Sequence, residues 1–241
     1  MDRPTSASPL GWLISLLLPF WLATGVLLLL IVWEQPSYPE FEYGRIPPDA
    51  LGLTGAQRLE LAEATLAYLR RPEPADQAII ALEALRLPGG RPLYTPREIG
   101  HMLDVKRLAD IFRKVFWGLS LAVAAGLILL LGRAAMRRAA YQALARGGLL
   151  TVGLLGLLIV LILIAWNGVF VTFHALLFPP GTWTFLTTDS LIRLFPEQFW
   201  FDFGLIWTAG VLLAGALAVV IGYLLLRLSG PGTMVITRGG R

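Results

Sequence analysis

The sequence of residues 96–131 is PREIGHMLDVKRLADIFRKVFWGLSLAVAAGLILLL, and it joins a charged segment to an apolar one without an internal proline. With the preceding Thr95, its start has the T-P-R-E pattern of a capping box, with proline in the first helical position where a missing N–H is harmless. Its second part, 115–131, is apolar and uncharged. We therefore predict one continuous helix that begins in a polar domain and continues across a membrane.

Three further runs are apolar and uncharged, at 10–33, 149–170 and 203–226. A helix needs about 20 mostly apolar residues to cross the hydrocarbon core of a bilayer. The chain is 56% hydrophobic, more than the roughly 45–50% of a soluble domain. The first run is too long for a signal-peptide core and is interpreted as an uncleaved anchor. We predict an all-α membrane protein with four transmembrane helices.

Charge placement predicts the topology. The segment 133–148 carries four arginines and no acid, the tail 227–241 carries three arginines and no acid, and 15 of the 16 acids lie between the first two runs or between the last two. Arginine-rich loops stay in the cytoplasm. The net charge of +4 is therefore a topology signal and not a nucleic-acid footprint.

This topology divides the chain into nine expected segments. In chain order they are a cytoplasmic N-terminus (1–9), transmembrane helix 1 (10–33), a small, mainly helical extracytoplasmic domain (34–110), transmembrane helix 2 (111–132), a basic cytoplasmic loop (133–148), transmembrane helix 3 (149–170), an aromatic-rich extracytoplasmic loop (171–202), transmembrane helix 4 (203–226) and a cytoplasmic tail (227–241).

The chain has two histidines and no cysteine, which excludes disulfides and thiol chemistry. His101 and His174 both fall beside a span on the predicted outer side. Asp104 shares a helical face with His101, since residues three apart are neighbours. It is either a surface partner of Arg107 or a carboxylate that holds the imidazole in one tautomer, as in acyl-transfer sites.

These residues suit base-assisted acyl transfer to or from a lipid-borne group. A neutral imidazole, with a pKa of about 6.5, accepts a proton near neutrality. The sequence has no G-x-S-x-G elbow, so direct transfer between two substrate groups is favoured over an acyl-enzyme. An oxyanion needs a donor, which Arg193, Trp183 or backbone N–H groups could supply. Asp189 and Asn167 complete the candidate substrate contacts.

Two other classes stay open on the residues alone. Two histidines in a four-helix bundle could ligate a b-type haem, although both lie at or beyond the outer rim of the predicted bundle. A non-catalytic membrane scaffold or sensor with a small outer domain is also compatible with the composition. A zinc site would require Asp104 and Asp189 to join the histidines. We expect neither a metal nor a cofactor.

Two stretches carry a family resemblance: LYTPREIGHMLDVKRLADIFRKVF (93–116) and FVTFHALLFPPGTWTFLTTDSLIRLFPEQFWFD (170–202). Together with the order of anchor, outer domain, H-M-x-D-V-K, basic inner loop, F-H and L-I-x-L-F-P-E, they resemble the lipoprotein intramolecular transacylases, small four-span bacterial membrane proteins. The resemblance covers nearly the whole chain, and the histidine-containing stretches are its most specific parts.

The resemblance implies an enzyme at the outer face of the bacterial cytoplasmic membrane. Its substrate would be a lipoprotein whose N-terminal cysteine carries a diacylglyceryl thioether and a free α-amine. The sn-2 acyl chain would move from the glyceryl oxygen to that amine, which gives a lyso-form, N-acylated lipoprotein. The resemblance assigns catalysis to His101 and His174 and places Asp104 in the same motif. We expect His101 to be the base, because Asp104 could raise its basicity, and we expect lipoproteins and membrane lipids as partners, with no nucleic acid and no obligate protein partner.

Overall fold

The computed structural model of the chain describes residues 8–32 and 37–229. The expected N-terminal segment up to residue 7, the end of the first span at Trp33, the start of the expected outer domain at 34–36 and the tail from residue 230 lie outside the described residues.

The described residues form helices joined by turns, with an isolated bridge between Arg86 and Pro92 and no strand among them. In chain order the helices are α1 (Pro9–Val32), α2 (Tyr38–Tyr43), α3 (Gly55–Arg70), α4 (Ala75–Glu83), α5 (Pro96–Leu131), a 3-10 turn (Ala134–Met136), α6 (Arg137–Leu177), α7 (Ser190–Leu194) and α8 (Glu197–Leu228). Four of them, α1, α5, α6 and α8, are long and apolar enough to cross a membrane.

The capping box predicted at Thr95 is confirmed, and α3 begins with a second one. In α3, Thr54 and Gln57 exchange both bonds of a capping box. At the start of α5, the Thr95 N–H donates to Glu98 Oε2 (2.7 Å) and the Glu98 N–H donates to Thr95 Oγ1 (3.4 Å). The predicted rod from this cap into the second span is a single helix of 36 residues.

Two helices are longer than predicted. Helix α6 begins at Arg137, so most of the expected basic loop is helical, and it continues past 170 to Leu177. Helix α8 begins at Glu197 instead of 203. The added stretches 137–148, 171–177 and 197–202 contain no proline. The inner extension of α6 is rich in alanine, arginine and leucine, which favour helix and outweigh Gly147 and Gly148. The N-cap residue of the short helix α7 is Asp189.

One compact unit consists of residues 23–118 and 155–210. Its buried core joins the small helices α2–α4 to α5, α7 and the start of α8. Tyrosine hydroxyls tie these elements together: Tyr43 donates to the Leu194 carbonyl (2.6 Å) and Tyr68 donates to the Met102 carbonyl (3.2 Å). This unit contains both histidines.

The other compact unit consists of residues 1–22, 119–154 and 211–241, of which 8–22, 119–154 and 211–229 are described. Small residues allow its helices to approach closely. A Cβ on Gly148 would lie 2.6 Å from the Gly215 carbonyl oxygen, and a Cβ on Gly222 would lie 2.6 Å from the Ala145 nitrogen. Such contacts between small residues are typical of helices packed in membranes.

Candidate active site

His101 and His174 lie next to each other. Their ring centroids are 6.3 Å apart and the rings are nearly parallel, at 25°. His101 belongs to the second turn of α5 and is 7% exposed, whereas His174 belongs to the last turn of α6 and is half-buried. We call these two residues the histidine pair. Residues 73 positions apart in sequence are thus brought to one place by the packing of the unit.

Aromatic rings enclose the histidine pair. Phe178 lies 4.9 Å from the His101 ring and 5.6 Å from the His174 ring. Phe185 lies 5.3 Å from His101, and Trp183 lies 5.1 Å from His174. We call residues 178–185, which carry these three rings, the aromatic cover. The sequence predicted an aromatic-rich outer loop but did not indicate that its rings contact the histidines.

The ring nitrogens of the two histidines differ in their partners. His174 Nδ1 lies 2.8 Å from the Phe170 carbonyl oxygen. A carbonyl oxygen only accepts, so Nδ1 carries the proton and Nε2 holds the lone pair when the ring is neutral. His101 Nδ1 is buried and has no hydrogen-bond partner among the described residues. The two rings are therefore not equivalent in their chemistry.

Burial favours the neutral form of both histidines. Both lie outside the predicted spans 111–132 and 149–170. Burial lowers the pKa of His101, and the nearby His174 lowers it further. Burial also lowers the pKa of His174, although its contact with the Phe170 carbonyl acts in the opposite direction. A neutral imidazole is the form that accepts a proton.

Asp104 does not hold the His101 imidazole, contrary to the sharper of the two expectations for this residue. Its Oδ1 lies 3.4 Å from Arg107 Nη1, and no hydrogen bond between Asp104 and His101 occurs in the described part of the chain. Asp104 is three residues from both His101 and Arg107 along α5, and the pair that forms is the one with the permanently charged guanidinium. This residue is therefore interpreted as the surface partner of Arg107.

Arg193 binds the carboxylate of Asp49, and its role as an oxyanion donor stays a prediction. Its Nε and Nη2 donate to the two carboxylate oxygens of Asp49, at 3.0 and 2.8 Å. The side chains of Arg193 and Asp49 are 12% and 2% exposed. The hydrogen bonds from Arg193 hold the pKa of Asp49 below its usual range. Arg193 therefore links α7 to the segment before α3.

The three remaining candidates have different surroundings. The Trp183 indole packs on His174, and its buried Nε1 has no partner in the part of the chain that the structure describes, so an N–H donor is available at the site. Asp189 accepts the Leu186 N–H through Oδ2 at 2.7 Å and therefore shapes the turn before α7. Asn167 is exposed on α6, two residues after Ala165, where φ and ψ of −143° and 39° interrupt the helix.

Arg97 and Glu98, which the sequence analysis treated only as part of a helix start, also bind residues of the segment that joins α6 to α8. Arg97 Nη2 donates to the Thr184 carbonyl oxygen and to Thr184 Oγ1. Glu98 is fully buried, and its Oε1 accepts the Leu191 N–H at 2.7 Å. The T-P-R-E pattern predicted the helix start, but no feature of it indicated partners more than 80 residues away.

The site geometry also bears on the haem and metal alternatives. A flat macrocycle ligated by both histidines would lie between the two rings, and Phe178 contacts both of them. Within residues 8–32 and 37–229, no group of three or more His, Asp or Glu side chains has the arrangement of a metal site. The arrangement supports proton transfer by two imidazoles in an apolar enclosure.

Comparisons with known proteins identify the family of the chain. The profile of the family "Lipoprotein intramolecular transacylase Lit" matches residues 12–200, a range that includes both histidines. An uncharacterized protein of Aquifex aeolicus (strain VF5) is 31% identical over 192 residues, which cover 79% of this chain and 80% of the relative.

The fold is similar to solved structures of the membrane-integral lipoprotein intramolecular transacylase Lit from Bacillus cereus. One has a TM-score of 0.65 at 20% identity and covers 91% of this chain and 95% of the other. A histidine-to-alanine variant of the same protein has a TM-score of 0.70 at 21% identity, with coverages of 91% and 93%. With its four long apolar helices, the chain is a multi-pass membrane protein, and it belongs to the lipoprotein intramolecular transacylase family.

Proposed function

We propose that the protein moves an acyl chain within one diacylglyceryl-modified bacterial lipoprotein, from the sn-2 glyceryl oxygen to the α-amine of the N-terminal cysteine. The bond between the acyl carbon and the glyceryl oxygen breaks, and a bond between the acyl carbon and the nitrogen forms. One proton passes from the nitrogen to the oxygen, so the total mass is unchanged. The observation that carries the proposal is the pair of neighbouring imidazoles, one buried and one half-buried, in a member of this family.

His174 is the better candidate for the proton carrier. Its Nδ1–H donates to the Phe170 carbonyl, which leaves Nε2 free to take a proton from the attacking amine and to return it to the leaving glyceryl oxygen. This assignment replaces the expectation that His101 is the base, since that expectation depended on a contact with Asp104 that is absent from the described residues.

His101 suits a different task. A neutral imidazole keeps one N–H, and this group can donate to the carbonyl oxygen that becomes negative in the tetrahedral intermediate. The Trp183 indole, whose buried Nε1–H has no partner among the described residues, is a second candidate donor. Because burial favours neutral rings at the site, the substrate amine, with an ordinary pKa of about 8, is expected to react after losing its own extra proton.

The aromatic enclosure supports transfer without an enzyme nucleophile. The amine and the ester belong to the same molecule, so the protein accelerates the reaction by holding them close together and by excluding water. Rings of the aromatic cover contact both histidines and leave an apolar environment suited to the glyceryl and acyl parts of the substrate. Asn167 and Asp189 stay candidate substrate contacts, with Asn167 facing outward along α6 below His174.

The arginine distribution supports a site on the extracytoplasmic side of the bacterial cell membrane, with both termini in the cytoplasm. In this orientation the lipoprotein substrate and the outer-leaflet lipids are on the same side as the histidine pair. The proposal keeps the nine-segment division of the chain, with helices α6 and α8 extending beyond the spans predicted for them.

The test is mass spectrometry of a lipoprotein N-terminus. The protein is expressed in a bacterium whose lipoproteins keep both O-acyl chains and a free α-amine, and the fragment spectrum is recorded. We expect an acyl group on the cysteine nitrogen and a monoacylglyceryl group on the sulfur. An unchanged fragment spectrum, with the protein present in the membrane, would contradict the proposed reaction.

His101→Ala and His174→Ala are expected to abolish the product while the protein still inserts. Leu176→Ala is the matched control, because Leu176 lies two residues from His174 and is 78% exposed. The control should keep full activity. A normal yield of product from either histidine variant would remove that histidine from the mechanism.

A further inference from the structure

We propose that Arg97 is a positioning residue that fastens the aromatic cover over the histidine pair. The proposed function gives this arrangement its purpose, and the contacts that define it are independent of any activity. Arg97 lies one turn before His101 on α5, and its side chain is exposed.

One guanidinium nitrogen makes the contacts. Arg97 Nη2 donates to the Thr184 carbonyl oxygen, to Thr184 Oγ1 at 3.0 Å and to the Gly181 carbonyl oxygen at 3.4 Å. The same guanidinium lies 5.5 Å from the centroid of the Phe185 ring. The guanidinium of arginine is planar and permanently charged, so it can bind carbonyl oxygens and pack on an aromatic ring at the same time. Lysine is a poor substitute in this role.

The residues that Arg97 holds flank the rings that touch the histidines. Trp183 lies between the two backbone carbonyls bound by Arg97, and its indole packs on His174. Phe185 is the ring beneath the guanidinium, and it packs on His101. One side chain therefore sets the position of a covering ring on each histidine.

The cover has few other ties. Its internal turn is closed by Thr182, whose N–H and hydroxyl donate to the Pro179 carbonyl, with Gly181 at a φ of +81°. Within the described part of the chain, the hydrogen bonds that join residues 178–185 to other elements come from Arg97, apart from the Phe178 N–H, which donates to the His174 carbonyl at 2.9 Å. Without Arg97, the cover keeps its turn but loses its polar attachment to α5.

The absence of natural cysteine provides a direct test of this attachment. In the variant His101→Cys, the only thiol of the protein lies beneath the cover, and a water-soluble maleimide should label it slowly. Adding Arg97→Ala should raise the labelling rate about tenfold or more, because hydrogen bonds from a charged group are lost. Adding Arg97→Lys should give an intermediate rate.

Matched variants separate a local opening from a general loss of structure. Arg91→Ala removes an exposed arginine a few residues earlier in the chain and should leave the labelling of Cys at position 101 unchanged. A thiol introduced by Ala62→Cys reports on the core of the same unit, where Ala62 is fully buried. It should stay unreactive in the presence of Arg97→Ala. Equal labelling rates at position 101 with and without Arg97, in folded protein, would overturn the proposal.

Activity gives the second readout. Arg97→Ala is expected to lower kcat for transacylation with little change in KM, because Arg97 acts through the covering rings and not on the substrate. If wild-type protein produces no transacylated lipoprotein while Arg97→Ala speeds labelling, the proposed reaction fails and the role of Arg97 stands. If transacylation occurs and Arg97→Ala changes neither labelling nor kcat, the role of Arg97 fails and the reaction stands.

Discussion

Glu98 holds two backbone amides at once, so replacing it by alanine should release both the start of α5 and the start of α7. Its Oε2 accepts the Thr95 N–H and its Oε1 accepts the Leu191 N–H, each at 2.7 Å. The side chain is fully buried. The first amides of a helix have no partner within the helix, and after the substitution neither amide has a partner from this side chain.

The magnitude follows from the number and type of bonds. A hydrogen bond to a charged group contributes about 1.5–3 kcal/mol to stability. Two such bonds in a buried place predict a loss of about 3–5 kcal/mol for Glu98→Ala. Glu98→Gln keeps one accepting oxygen and places an NH2 group against the other amide, so it should lose about half of that amount.

Hydrogen–deuterium exchange measured by mass spectrometry locates the effect. In Glu98→Ala the amide of Leu191 should exchange about 10–150 times faster, since about 1.4 kcal/mol corresponds to a factor of ten. Glu60→Ala removes an exposed carboxylate from α3 and should change exchange at Leu191 by less than about twofold. If the Leu191 amide exchanges at the same rate in Glu98→Ala as in the wild type, the bridging role of this carboxylate is refuted.

Three other outcomes are expected. Arg193→Ala should destabilise the protein by about 3–5 kcal/mol, because it leaves the Asp49 carboxylate buried and unpaired; a thermal midpoint equal to that of the wild type would show that the pair is not needed. Asp104→Asn should keep transacylation within about twofold, since an exposed ion pair contributes little; a loss of tenfold or more would restore a catalytic role. Gly148→Ala should destabilise by about 1–3 kcal/mol because its Cβ would meet backbone atoms. Gly153→Ala, in the same helix with open space around it, should be neutral or stabilising in the same melting experiment, and equal melting of the two variants would contradict the close packing.

The architecture was accessible to sequence reasoning because its signals are local. Each apolar run predicts a helix by itself, and the caps at Thr54 and Thr95 depend on residues three positions apart. The helix ends were less accessible. Hydropathy marks where a helix enters the bilayer, but α6 and α8 continue beyond that boundary because nothing in their polar extensions breaks a helix.

The site was predicted in part because only some of it is local. Two histidines beside two spans were conspicuous in the sequence, and the structure brings them together. The partners of Asp104 and Arg193 depend on which charged side chains lie within reach after folding. Arg107, on the same helix, is available to Asp104, while Asp49 lies 144 residues from Arg193 and becomes its neighbour only after folding. Sequence spacing gives no information on a contact of that kind.

The hydrogen bond from His174 Nδ1 to the Phe170 carbonyl has a consequence for how the protein tolerates change. In a Ser-His-Asp triad, the imidazole is oriented by a carboxylate side chain, which one substitution can remove. Here the acceptor is a main-chain oxygen four residues earlier in the same helix, and every amino acid at position 170 supplies that oxygen. The helical backbone therefore fixes the tautomer of His174. Homologous chains could vary residue 170 freely in this respect and keep the same ring nitrogen available for proton transfer.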